Sequence, residues 1–162
     1  WYDLQDAQKK KLLNSPDLEP IIHQMMINGL NISDNKSTFE VLEIITSFSD
    51  NSPFKPLYLY LFNKICSKSD GALSEVMGKY CMRMLQNSTA YCLHFLKQDH
   101  EMLELYVNFI SHELSVRNEN RNSIKNDFNA FKKVLDENIS EQNNLESVRT
   151  LLFEKINDNL PK

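Results

Sequence analysis

The sequence predicts an all-α fold, an irregular α-α superhelix or compact multi-helical bundle of eight to nine helices with a C-terminal antiparallel helical hairpin. Three observations predict it. Apolar residues recur at the 3.6-residue period along most of the chain, so each segment carries a stripe that must be buried against a neighbour. Only 3 of the 162 residues are glycine, too few for the tight turns of an all-β domain. Hydrophobic residues make up 41% of the chain and charged ones 25%, enough apolar side chain to offset the entropy lost on ordering. At this length one helical domain, 1–162, is expected, with a main body over 1–116 and a hairpin over 117–162 as its possible subdivision.

Taken in order, Asp3 to Leu13 has weak periodicity and reads as a short first helix. Glu19 to Asn28 opens near Pro20, whose fixed φ suits a first turn, and closes at Gly29 in the C′ position. Ser37-Thr38-Phe39-Glu40 has the capping-box form, and Phe39, Val41, Leu42, Ile44, Ile45 and Phe48 then make a wide apolar face. Leu57 to Phe62 alternates leucine with aromatics as a strand would, but the pattern runs on through Ile65 and Cys66 at helical spacing. With Pro53 and Pro56 suited to a helix start, this segment is expected to be a helix, apolar on nearly every side and therefore central.

From Leu73 to Leu85 the periodicity is unbroken, with Leu73, Val76, Met77, Tyr80, Cys81, Met84 and Leu85 on one stripe and Ser69 or Asp70 as the cap. Gly78 sits in mid-helix at about 1 kcal/mol relative to alanine. With Ser74 one turn before it, the expected return is a small-residue groove that lets a neighbouring helix approach. Ser88 caps a short helix carrying Tyr91, Cys92, Phe95 and Leu96, and Asp99 caps a longer one, His100 to Ser115. Arg117–Asn122 is polar throughout and reads as a linker. Beyond it, Ile124, Phe128, Phe131, Leu135 and Ile139 form one narrow stripe; after a polar break at Ser140–Asn143, Leu145, Val148, Leu152, Ile156 and Leu160 form another. Narrow stripes suit an antiparallel hairpin that covers one side of the body and keeps its outer face wet. On that basis the hairpin is expected to be the less stable part, with the first proteolytic cut near Arg117 or Arg121.

The net charge of −4, from 18 Lys plus Arg against 22 Asp plus Glu, argues against a general nucleic-acid or anionic-membrane binder. From Ser115 onward basic and acidic residues balance at eight each, so the acidity belongs to the first 114 residues. Lys9-Lys10-Lys11 has no interleaved aromatics and reads as a solvated run. No stretch approaches the ~20 apolar residues of a membrane-spanning helix. The chain begins Trp1-Tyr2-Asp3 without an initiating Met, as a processed or exported protein would, and the compartment is left open.

Cys66, Cys81 and Cys92 are spaced 15 and 11 apart, unlike any zinc-ligand pattern, and sit among apolar residues, so buried thiols are expected. The six methionines read as core filling. Eighteen asparagines produce Asn-x-Ser/Thr triplets at Asn31, Asn35, Asn87 and Asn138, as many as chance supplies. His100-Glu101-Met102-Leu103-Glu104 is one letter from a zinc-protease motif, with Glu104 in place of the second histidine. His112 lies roughly 18 Å further along the same helix, too far to share an ion, and His23 and His94 have no ligand-like neighbours. Nucleophile elbows and phosphate-cradling glycine loops are missing, and the pairs Glu40/Glu43 and Glu101/Glu104 read as solvated faces.

No catalytic, metal-ligating or cofactor-binding residue is expected, and the binding residues are not specified. The sequence therefore points to a non-enzymatic protein-interaction or scaffold domain, its partner another protein docking on a helical groove or on the terminal hairpin. The alternative is a helical pocket for a small apolar ligand, lined by Tyr58, Tyr60, Tyr80 and Tyr106. An enzyme with no recognisable motif is the third reading. Oligomeric state is not set by the sequence.

Overall fold

The computed structural model describes residues 1–48, 51–118, 120–139 and 143–161. Wherever apolar residues fall at the helical period, the backbone is helical: α1 (Asp6–Leu13), α2 (Pro20–Ile27), α3 (Lys36–Thr46), α4 (Lys55–Lys68), α5 (Gly71–Asn87), α6 (Thr89–Leu96), α7 (His100–Val116), α8 (Arg121–Asn138) and α9 (Glu146–Asn159). A 3₁₀ turn over Asn143–Leu145 leads into α9, and there is no strand among the described residues. Among those residues, too, no helix is long and apolar enough to cross a membrane.

The helix ends follow local chemistry. Asp99 caps α7, its carboxylate accepting from the Met102 N–H at 2.9 Å. Gly29, at φ +78°, turns the chain out of α2 while the Leu30 N–H bonds back to the Met25 carbonyl at 3.0 Å. The cap of α3 is a correction to the sequence reading. It is Asn35, not Ser37, whose side chain accepts from the Thr38 N–H at 2.9 Å. Asparagine caps as well as serine does, so the helix begins one residue before Ser37 and that serine falls inside the first turn.

The crossing of α5 and α7 is the most extensive helix–helix contact among the described residues. Gly78 lies at that crossing: a Cβ built on it would run into the Phe109 carbonyl and the Cβ of Glu113, so α7 lies against the bare backbone of α5. The expected close approach is therefore present at Gly78, while the Ser74 hydroxyl donates within its own helix to the Gly71 carbonyl at 2.7 Å. Met77, Cys81, Met84 and Leu85 from α5 meet Tyr106, Val107, Ile110 and Leu114 from α7, all fully buried. The α4 helix is the most buried of the described helices by share of its residues, 8 of 14, as its all-round apolar pattern predicts; its buried face, Leu57 to Cys66, packs on α3 and α7. Its half-exposed residues, Tyr60 and Lys64, leave one side to the surface.

Val76 departs from expectation, being half-buried beside the fully buried Met77. The stripe is narrower than its letters because α7 approaches over Gly78 and leaves the Val76 edge open. Met77→Asp is accordingly expected to unfold the protein, by several kcal/mol for an unpaired buried carboxylate. Val76→Asp is expected to cost only about 1 kcal/mol. Thermal melts of the two variants check the contrast, and equal losses would place Val76 in the core after all.

The helices α8 and α9 run antiparallel, as the hairpin expectation has it. Asp136 near the end of α8 pairs with Arg149 near the start of α9 at 2.9 Å, and Phe128 meets Phe153 edge-on midway, ring centroids 6.2 Å apart. They do not pack chiefly on each other: α8 lies on α5, and α9 on α7. Phe131, Leu135, Leu152 and Ile156 enter the same continuous cluster of buried side chains as the residues of α2 to α7. The polar link is fastened too, with Arg117 on Asp127 at 2.8 Å and the Asn118 amide donating to the Leu114 carbonyl at 2.9 Å. Asparagines serve as tethers elsewhere. Asn87 donates to the Thr46 carbonyl at 2.7 Å, and Asn138 to the Gln86 carbonyl and Thr89 hydroxyl at 2.8 and 2.9 Å.

Candidate functional site

The two-turn helix α6 carries two stripes. Cys92, Leu93 and Leu96 face inward and are fully buried. Tyr91, His94 and Phe95, with Gln98 just beyond the helix, repeat at i, i+3, i+4 and i+7 and lie half-buried or exposed. The Gln98 and Asp99 N–H groups both return to the Phe95 carbonyl, at 2.9 and 3.2 Å, which turns the chain sharply into α7. That turn brings His100 and Glu101, the first residues of α7, alongside the outer stripe of α6.

The fourth side comes from the far end of the chain. Trp1 stacks on Tyr60, centroids 5.5 Å apart, and Tyr2 stacks on Phe95 at 5.0 Å while meeting Tyr60 edge-on at 5.6 Å. The outcome is an open groove of about 460 Å³ between the N-terminal segment, α4, α6 and the start of α7. Tyr2, Tyr91, Phe95 and Leu59 form its apolar wall, and Asp3, His94, Gln98, Asp99, His100 and Glu101 its polar rim.

Behind this wall stands a buried polar pair. The Tyr106 hydroxyl donates to the Asn63 carbonyl oxygen at 2.9 Å, and burial holds the Tyr106 phenol well above its ordinary value. The Asn63 amide nitrogen is buried with no hydrogen-bond partner among the described residues. Partial burial raises the Tyr2 phenol, and the neighbouring Asn63 side chain opposes that rise.

Most residues singled out in the sequence lie elsewhere. Cys66, Cys81 and Cys92 are buried free thiols, as expected. Burial pushes the Cys81 thiol well up, and the Cys66 thiol beside it adds to the rise, so Cys81 is held protonated and unreactive. The tyrosines expected to line a pocket do not converge on the groove: Tyr58, Tyr80 and Tyr106 are core residues, and Tyr60 supports the groove from behind its aromatic wall. Of the near-motif, His100 and Glu101 reach the groove, Met102 and Leu103 enter the core, and Glu104 pairs with Lys155 at 2.6 Å. His112 is exposed on α7 and His23 half-buried on α2. Among the described residues, no three His, Cys, Asp or Glu side chains gather as a metal site.

Glu43 belongs to a surface network. It accepts from Arg83 at 2.6 Å and from the Tyr80 hydroxyl at 2.8 Å, and these two donors hold its carboxyl below the usual carboxylate range. A depressed carboxylate contributes stability above its unfolded pKa, near 4.3, and loses it as the pH falls through the lower folded value. Glu43 is largely solvated, so screening limits the contribution to about 0.5–1 kcal/mol. Glu43→Gln is expected to lower stability by that amount at pH 7, with the difference from wild type closing at acid pH. Urea midpoints from pH 7 downward read this, and a gap that does not narrow at all as the pH falls below the carboxylate range contradicts it.

Comparison with protein-family models, curated proteins and solved structures returns no match for this chain. What the fold and groove define is an all-α bundle with an aromatic-walled surface groove.

Proposed function

We propose that the chain is a non-enzymatic protein-interaction domain that receives its partner in the groove of Tyr2, Tyr91 and Phe95. One observation carries the reading: three aromatic rings stay accessible around a single concavity of about 460 Å³ while most of the large apolar side chains are packed away. Aromatics on a concave, half-exposed surface are the side chains that contribute most to binding another protein, because they add large contact area with little rotamer entropy to lose. The openness of the groove favours a protein over an engulfed small molecule.

A photo-crosslinking residue placed at His94 or Gln98, in the groove, is expected to give a discrete adduct in the native source. The same residue at Glu75 or Glu137, on exposed faces of α5 and α8, is not expected to. Phe95→Glu should remove the groove adduct. Adducts of equal yield at all four positions, or none in the groove, would overturn the reading.

The second reading, a small apolar ligand, draws on the volume, which falls within the ~300–1,000 Å³ of ligand cavities. Its lining is then Tyr2, Tyr91, Phe95 and Leu59, not the tyrosines expected from the sequence. Native mass spectrometry of protein from its own source discriminates, since that reading requires a non-covalent mass adduct lost in Phe95→Glu.

A further inference from the structure

Resting on the reading of the groove as a binding site, we infer that its occupant is a basic peptide segment, which lays an arginine or lysine side chain against the aromatic wall. The rim holds three carboxylates, Asp3, Asp99 and Glu101, and neither lysine nor arginine lines the groove. Elsewhere the surface acids Glu43, Glu104, Asp127 and Asp136 are each matched to a cation within 3 Å. Among the described residues, none of the three rim carboxylates lies within 4 Å of a lysine, arginine or histidine nitrogen as an ion pair. The Trp1 ammonium acts on Asp3, and the start of α7 contributes about half a positive charge; together they offset only part of the three negative charges. One oxygen of Asp99 accepts from the Met102 N–H, and its carboxylate keeps further acceptor capacity.

The wall suits the same occupant. Ring faces attract a cation that carbon-rich surroundings have partly desolvated, and Tyr91 already has the Lys55 ammonium 5.7 Å from its centroid. Asn63 favours a peptide over a free amine. Its buried amide nitrogen makes no hydrogen bond of good geometry among the described residues, and the Tyr2 hydroxyl, part of the groove lining, meets it only loosely. A peptide brings carbonyl oxygens as well as a cation, and a shift of the Tyr2 ring would open a path between the two.

The test is a titration of the ¹⁵N-labelled full chain with two capped tripeptides, acetyl-Gly-Arg-Gly-amide and its isosteric, uncharged citrulline counterpart. Saturable shifts at Tyr2, Tyr91, His94 and Glu101 are expected with the arginine peptide, and binding at least fivefold weaker with citrulline. The exposed pair Asp3→Asn and Glu101→Gln, in one variant with an otherwise unchanged spectrum, should weaken the arginine peptide at least fivefold and leave citrulline unaffected. Equal affinity for the two peptides would overturn the cationic occupant while leaving the groove as a binding site. Shifts absent from the groove with both peptides, or spread over carboxylates across the surface, would overturn the inference and the groove reading together.

Discussion

Gly78→Ala is expected to destabilise the protein by about 2 kcal/mol, although alanine is the better helix former. In an open helix the substitution would gain about 1 kcal/mol from propensity alone. Here the added methyl meets the Phe109 carbonyl and the Cβ of Glu113, atoms fixed in or next to the backbone of α7, so no rotamer change relieves the collision. Separating α5 from α7 to admit it loosens the largest buried contact in the molecule. Overpacking of this kind costs about 3 kcal/mol at the upper end of its usual range, and it outweighs the propensity gain. Gly78→Val should do more damage still, adding branched bulk and a poorer helix former. Urea denaturation checks both variants, and a raised midpoint for Gly78→Ala would mean that the helices do not touch there.

Phe131→Ala is expected to cost about 3–5 kcal/mol in one cooperative transition. Phe131 belongs to α8 but is buried in the cluster shared with α5, so truncating it removes a full ring from the core. Against a total stability of about 5–15 kcal/mol, that loss leaves the whole chain marginal. A loosely docked hairpin would behave differently: the variant would show two transitions, with 1–116 melting near the wild-type temperature. The tryptic experiment distinguishes the same alternatives. Cleavage at Arg117 or Arg121 should release no stable body if the core is shared, and should leave a resistant 1–116 fragment if it is not.

The groove was half legible in the sequence. Tyr91, His94, Phe95 and Gln98 stand at helical spacing and spell a second stripe on α6, but the sequence reading named Tyr91, Cys92, Phe95 and Leu96 together without separating an inner from an outer face. An eight-residue helix that is apolar nearly all round does not announce which side turns inward. The tyrosines proposed for a pocket failed for the same reason. Tyr58, Tyr80 and Tyr106 have the letters of a lining and the positions of a core. Tyr2 carried no signal at all, since its place on Phe95 depends on a contact between residues 93 positions apart in the chain.

What the sequence by itself determined is the set of helices and most of their ends. Helical hydrogen bonds and caps such as Asp99 join residues a few positions apart, and the period of an apolar stripe is a local property that any reader of the chain can find. The buried thiols of Cys66, Cys81 and Cys92 were legible on similar grounds, from apolar neighbours in the chain. The tertiary structure alone decided which helices meet. The most extensive helix contact formed at the α5–α7 crossing because a missing side chain at Gly78 lets two backbones approach, and that advantage exists only once α7 is in place. Val76 lost its place in the core by the same crossing, and the groove arose where α6, too short to cover its surroundings, left its outer stripe to Tyr2 and the first turn of α7. Such outcomes depend on shape complementarity between distant segments, which no window of neighbouring residues contains.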